Sequence, residues 1–140
     1  MRLVLIVVCL AEIEMRNDAM AEYTAAQIIF IGLQSVGFSA QRIQTAALNT
    51  NLRRFRECFG LEPAAIVTLF EDLKLVGFRA GIMDLLMTLH WLTTYQTESV
   101  MAGKYNLNEK TIRNKIWRCV DAIYSLRNEK VRHVFPSLFY

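Results

Sequence analysis

The chain has 140 residues, of which 54% are hydrophobic and 21% are charged, and it contains only 6 glycines and 2 prolines. This composition excludes an extensively disordered or low-complexity chain and supplies enough apolar side chains for a core. The net charge is +3. The three cysteines, Cys9, Cys58 and Cys119, are not at the spacing of metal ligands, and an odd number of cysteines cannot all form disulfides within the chain. We therefore expect one folded domain, with or without an appended helical segment, whose thiols are reduced and mostly buried.

The N-terminus carries one basic residue followed by nine apolar residues, at positions 3–11. This run is too short to cross a bilayer, and Glu12 and Glu14 follow it without the small residues of a cleavage site. A core strand or a first helix is therefore favoured over a signal peptide. We expect an intracellular protein, nuclear in a eukaryotic cell, that makes no membrane contact.

Two helices are predicted in the part of the chain that follows. Residues 21–36 are rich in Ala, Ile, Gln and Leu, and Gly37 comes where a helix end requires a residue that adopts positive φ. The second helix is predicted over residues 40–58, with Ser39 as its N-cap and Gly60 at its end.

A weak domain boundary is predicted at the polar residues 49–51. It separates an N-terminal helical lead, residues 1–50, from a helix-turn-helix domain, residues 51–135.

Three arginines lie near the end of the second predicted helix: Arg53, Arg54 and Arg56. Positive charge suits the C-terminal end of a helix, so we expect these side chains to be solvated; contact with a DNA backbone is the alternative.

A third helix should begin at Glu62 and Pro63, because an acid and a proline both suit the first helical turn. Its apolar residues recur at three- and four-residue spacing: Ile66, Leu69, Phe70 and Leu73. A fourth helix, residues 82–95, is almost entirely apolar and is predicted to be the central helix of the core. No strand-like alternation of useful length appears after residue 20. The predicted fold class is all-α, a compact helical domain.

Residues 98–126 have the pattern of a helix-turn-helix. Ala102 is small enough for two helices to cross closely, and Asn106, four residues later, tolerates the positive φ of a tight turn. We expect Leu107 to enter the core directly after the turn and Asn108 to be the N-cap of the second helix.

The second helix of this pair has an apolar and a polar face. Its inward stripe recurs at helical spacing: Ile112, Ile116, Cys119, Val120 and Ile123. The residues on or beside the outward face are the candidate DNA-binding residues: Lys110, Thr111, Arg113, Asn114, Lys115, Trp117 and Arg118. Cationic and amide donors of this kind neutralise phosphates and read base edges in a major groove. For Trp117, packing against a neighbouring helix or another domain is the alternative to a DNA contact.

The positive charge is concentrated in the same part of the chain. Residues 98–132 contain eight lysines and arginines against four acidic residues, so this segment has a net charge of +4 and the remainder has −1. Such asymmetry favours a polyanionic partner for the C-terminal third. A solvated helical surface of mixed charge is the alternative.

Several motifs of this segment resemble the N-terminal helix-turn-helix region of DDE-superfamily transposases of the PIF/Harbinger type and their domesticated relatives. The motifs are Arg-Phe-Arg-x-x-Phe-Gly-Leu at residues 54–61, Leu-Thr-Thr-Tyr at 92–95, Thr-Glu-Ser at 97–99 and Lys-Thr-Ile-Arg-Asn-Lys-Ile-Trp at 110–117. The resemblance spans roughly residues 53–132 and does not cover residues 1–50.

The resemblance implies that this module recognises double-stranded DNA at transposon ends, while a separate RNase H-like nuclease domain with three metal-binding acids cuts it. In this chain the acidic residues are scattered over predicted helices: Asp72, Asp84, Glu98, Glu109 and Asp121. We interpret them as helix caps and solvated charges, and the chain as a DNA-binding piece without an enzymatic centre or cofactor. A nuclease domain or partner chain is then a candidate partner.

Two other classes of function remain open on the sequence alone. The helices could form a protein-interaction module whose basic residues only confer solubility, or the chain could be a non-functional remnant of a mobile element. His90 lies in an apolar helix and His133 near the C-terminus, neither at metal-ligand spacing, so both are expected to be core or surface residues.

Overall fold

The computed structural model describes the backbone of residues 21–134 and the side chains of residues 21–128. These residues form seven helices and no strand, which confirms the all-α class. The helices are α1 Ala25–Ser35, α2 Ala40–Thr45, α3 Leu48–Phe59, α4 Pro63–Leu75, α5 Ile82–Thr94, α6 Glu98–Tyr105 and α7 Glu109–Val134. The predictions for Cys9, for the N-terminal apolar run and for the side chain of His133 lie outside the described residues.

Helix α5 lies at the centre of the helical assembly, as its apolar sequence predicts. Leu85, Leu86 and Leu89 are at most 1% exposed, and the helix packs against both α3 and α7. Helices α3 and α7 make at most marginal contact with each other, so α5 lies between them. One hydrophobic cluster continues through α1, α3, α4, α5 and α7. The helices on either side of residue 50 therefore share one core.

Helices α1 and α3 pack closely against each other at Gly32. A Cβ atom at Gly32 of α1 would lie 2.6 Å from Cε2 of Phe55 and 2.9 Å from Cε2 of Phe59. The two phenyl rings, with centroids 4.7 Å apart, take the space that a side chain would need. Glycine at this position therefore determines how closely the two helices pack.

The prediction of one continuous helix over residues 40–58 is wrong, because the chain changes direction at Ala46 and Ala47; we call this change of direction the corner. Ala46 and Ala47 are extended, with ψ of 150° and 151°, and they separate α2 from α3. The buried side chain of Asn51 stabilises this corner, since its Nδ2 donates to the carbonyl oxygen of Ile43 at 2.8 Å. The polar residues 49–51 thus belong to the first turns of α3.

Other predicted helix ends are confirmed. Ser39 caps α2, its Oγ accepting from the backbone N–H of Arg42 at 3.3 Å. Gly37 and Gly60 have φ of 109° and 76°, the left-handed conformation for which glycine is favoured. Pro63 is the first residue of α4. None of the described helices has the length and apolarity that a membrane crossing requires.

Candidate nucleic-acid interface

Helix α6 and the turn after it have the backbone that the sequence predicts. Thr97 caps α6, its Oγ1 accepting from the N–H of Val100 at 3.3 Å. The helix ends where Asn106 adopts the left-handed conformation, with φ 53° and ψ 45°. The N–H groups of Asn106 and Leu107 both donate to the carbonyl oxygen of Ala102. Ala102 itself is half-buried and packs against the core.

The prediction that Leu107 enters the core is wrong, because its side chain is 37% exposed. Met101, which is 0% exposed, is the buried residue of α6 instead. Leu107 belongs to the short link that leads into the cap of α7. That cap forms as predicted: Oδ1 of Asn108 accepts from the N–H of Thr111 at 2.8 Å, and the Asn108 carbonyl accepts from Ile112.

The predicted inward stripe of α7 is confirmed. Ile112, Cys119, Val120 and Ile123 are completely buried, and Ile116 is 2% exposed. Burial raises the pKa of the Cys119 thiol to about 12, so this thiol stays protonated at neutral pH. These contacts determine the rotation of α7 about its axis, and with it the residues that face solvent.

Three of the candidate residues lie four residues apart on the exposed side of α7: Lys110, Asn114 and Arg118. We call them the outer face. Neither of the two cations forms an ion pair with another described residue. Within the described part of the chain, their positive charges are therefore available to an external anion.

Arg113 points towards α6. Its Nε lies 3.0 Å from both carboxylate oxygens of Glu98, and Nη2 lies 2.7 Å from Oε2. These hydrogen bonds lower the pKa of Glu98 from its ordinary value, because they favour the ionised carboxylate. Arg113 thus joins the first turn of α6 to α7, and its charge is largely compensated.

Lys115 and Trp117 both contact α5. Nζ of Lys115 lies 3.2 Å from Oδ1 of Asp84 in the first turn of α5. The ring of Trp117 meets that of Trp91 edge to face, with centroids 6.0 Å apart, and remains 38% exposed. Trp117 therefore packs against a neighbouring helix, which was the alternative to a DNA contact. Thr111 is half-buried at the cap of α7.

The interpretation of the acids as caps and solvated charges is wrong for Asp72, which is only 6% exposed. Asp84 and Glu98 do lie in the first turns of α5 and α6, but each also forms an ion pair with α7. The partners of Lys115 and Arg113 lie 31 and 15 residues away along the chain. No local pattern relates positions that far apart, so sequence reasoning missed both pairs.

A buried polar contact links the end of α6 to α5. Nδ1 of His90 shares a hydrogen bond of 3.0 Å with Oη of Tyr105. Burial, and to a smaller degree the charge of Lys104, lowers the pKa of His90 to about 4. Burial raises the pKa of Tyr105 to about 12. Both groups are therefore neutral at physiological pH, and His90 is a hydrogen-bonded core residue as predicted.

Residues 21–128 bring no three His, Cys, Asp or Glu side chains close enough to hold a metal ion. Comparison with known proteins gives no relative: the chain matches no protein-family model, no curated protein and no solved structure. The candidate interface is therefore defined by its own geometry, a tight turn between two capped helices and an exposed cationic and amide face on the second.

Proposed function

We propose that α6, the turn at Asn106 and α7 form a helix-turn-helix that binds double-stranded DNA in a sequence-specific manner. The observation that carries the proposal is the outer face. It presents two cations and an amide on successive turns of one helix. Neither cation forms an ion pair with another described residue. An α-helix fits the major groove of B-form DNA, and such a face would be directed at the bases and phosphates there.

The three residues of the outer face have different roles in this proposal. Lys110 and Arg118 neutralise phosphates on either side of the groove, where position matters more than base identity. Asn114 lies between them, and its amide can both donate to and accept from the edge of one adenine. The net charge of +4 in residues 98–132 adds a long-range attraction for the DNA.

The resemblance to transposase helix-turn-helix regions supports the same function. In that setting the helix-turn-helix supplies DNA recognition, and catalysis belongs to a nuclease domain or a partner chain. A nuclear location in a eukaryotic cell follows from a DNA target and is part of the proposal.

Selection of binding sites from a randomised duplex pool by the full chain, followed by a salt titration on the selected site, tests the proposal. We expect a distinct target sequence and a log–log slope of about −2 to −3, because two or three phosphates are neutralised. The Lys110→Ala/Arg118→Ala variant should lose most of this binding. Arg79→Ala is the matched control, since Arg79 is an exposed arginine outside α6 and α7.

No binding at low salt, or an affinity that does not depend on salt, would overturn the proposal. The protein-interaction class would then be favoured. Val100 in the first turn of α6 and Leu107 after the turn are 47% and 37% exposed, and such a partner would cover these apolar side chains.

A further inference from the structure

Two arginines contact one aromatic ring on the part of the molecule formed by α2 and α3. Phe38, in the link between α1 and α2, has its ring centroid 4.9 Å from Cζ of Arg42 and 4.9 Å from Cζ of Arg54. The two guanidinium carbons are therefore no more than about 10 Å apart, so their charges repel each other over a short distance.

A buried residue holds one of these arginines in place. Oδ1 of Asn51 accepts from Nη1 of Arg54 at 3.4 Å, while its Nδ2 donates to the carbonyl oxygen of Ile43. Asn51 is only 6% exposed, so this support is fixed by the corner between α2 and α3. Neither Arg42 nor Arg54 forms an ion pair with an acid among residues 21–128.

We propose that Phe38, Arg42 and Arg54 form a second phosphate-binding surface, which takes the backbone of a nucleic acid. A guanidinium that contacts a ring through its carbon can still direct N–H groups at a ligand, and these groups match the oxygens of a phosphate. A phosphodiester backbone that contacts both arginines would compensate their charges, which no ion pair within residues 21–128 compensates. We call this the Phe38 surface.

The Phe38 surface is separate from the outer face of α7. Arg54 lies on α3 and Arg42 on α2, and α5 lies between α3 and α7. A nucleic acid bound at the Phe38 surface therefore contacts a different part of the molecule from DNA bound at α7. Only the choice of nucleic acid as the polyanion rests on the proposed function; the geometry of the surface does not depend on it.

NMR of the full chain tests the inference through the Nε–Hε signals of the arginine side chains. The probe is a 12-base-pair duplex of arbitrary sequence at low salt, with anionic phospholipid vesicles as a separate arm. We expect the signals of Arg42 and Arg54 to shift with the duplex, in the parent and in the Lys110→Ala/Arg118→Ala variant alike. Arg56 is the internal control, because it pairs with Glu62 at 3.2 Å.

In the Lys110→Ala/Arg118→Ala background, the further changes Arg42→Ala and Arg54→Ala should remove the residual duplex binding, and Arg56→Ala should not. Dispersed amide spectra show that each variant is folded. The inference is overturned if the Arg42 and Arg54 signals do not move with the duplex, move only with vesicles, or stop moving when α7 is neutralised. If the Arg42 and Arg54 signals shift with the duplex, but the amide signals of α7 do not shift and site selection yields no target sequence, the proposed function is overturned and the inference about the Phe38 surface is supported.

Discussion

Arg113 of α7 makes three hydrogen bonds to the carboxylate of Glu98, the first residue of α6. The contact connects residues that are 15 positions apart and lies beside the outer face. The carboxylate of Glu98 compensates the positive charge of Arg113, which the sequence alone predicts to be a DNA-binding residue. Glu98 therefore reduces the positive charge that α7 presents.

The first prediction concerns this ion pair. Glu98→Gln should release Arg113, strengthen DNA binding at low salt and increase the magnitude of the salt slope by about one, because one more phosphate can be neutralised. Thermal stability should change little, since exposed ion pairs contribute little to it. Glu22→Gln is the control, because Glu22 pairs with Lys74 outside α6 and α7. An unchanged slope for Glu98→Gln would contradict a role for Arg113 at the DNA.

The second prediction separates base reading from phosphate binding on the outer face. Asn114→Ala should relax the preference at one position of the selected site by about 1 to 3 kcal/mol and leave the salt slope unchanged. Lys110→Ala should weaken binding to all sequences alike and lower the magnitude of the slope by about one. Site selection and salt titration of both variants measure this. Identical selected sites for Asn114→Ala and the parent would show that Asn114 reads no base.

The third prediction is a dependence of stability on pH that comes from His90. Its pKa is about 4 in the folded chain and 6.5 when exposed, so the unfolded state binds the additional proton between these values. Stability should therefore be complete above pH 6.5 and decrease as the pH falls towards 4, by about 3 kcal/mol. Urea unfolding of the parent and of His90→Gln across this range isolates the contribution. Parallel pH profiles for the two proteins would argue against a neutral, buried His90.

The fourth prediction concerns the crossing of α6 and α7. Ala102→Leu should lower the free energy of unfolding by about 1 to 3 kcal/mol, because a half-buried position at the core cannot take three more carbons without displacement. Gly103→Ala is the adjacent control. A Cβ at Gly103 meets nothing within 4 Å, so this change should stabilise the helix by roughly 0.4 to 1 kcal/mol. If Ala102→Leu and the parent have equal free energies of unfolding, the crossing of α6 and α7 does not require a small residue at position 102.

The features of α6 and α7 that could be predicted from sequence are those set by local chemistry. Apolar residues at helical spacing gave the buried stripe from Ile112 to Ile123, and a capping residue and a residue tolerant of positive φ gave the ends at Asn108 and Asn106. Each depends on neighbours within a turn or two of helix.

The features that could not be predicted depend on distant parts of the chain. Lys115 meets Asp84 only because α7 packs on α5, and no spacing in the sequence encodes that approach. The corner at Ala46 lacks both glycine and proline. The side chain of Asn51 forms a hydrogen bond across it, and the sequence alone does not distinguish this asparagine from a surface residue. Arg42 of α2 and Arg54 of α3 both contact the ring of Phe38, because the same corner joins their two helices.

The two faces of α7 differ in what a substitution does to the molecule. Positions 112, 116 and 123 support the core, whereas Lys110, Asn114 and Arg118 are exposed and contribute little to it. Changes at such surface positions typically alter stability by no more than about 0.5 kcal/mol. A library randomised at these three positions should therefore consist mostly of folded proteins. If the outer face binds DNA as proposed, such a library can be selected for new target preferences without first repairing the fold.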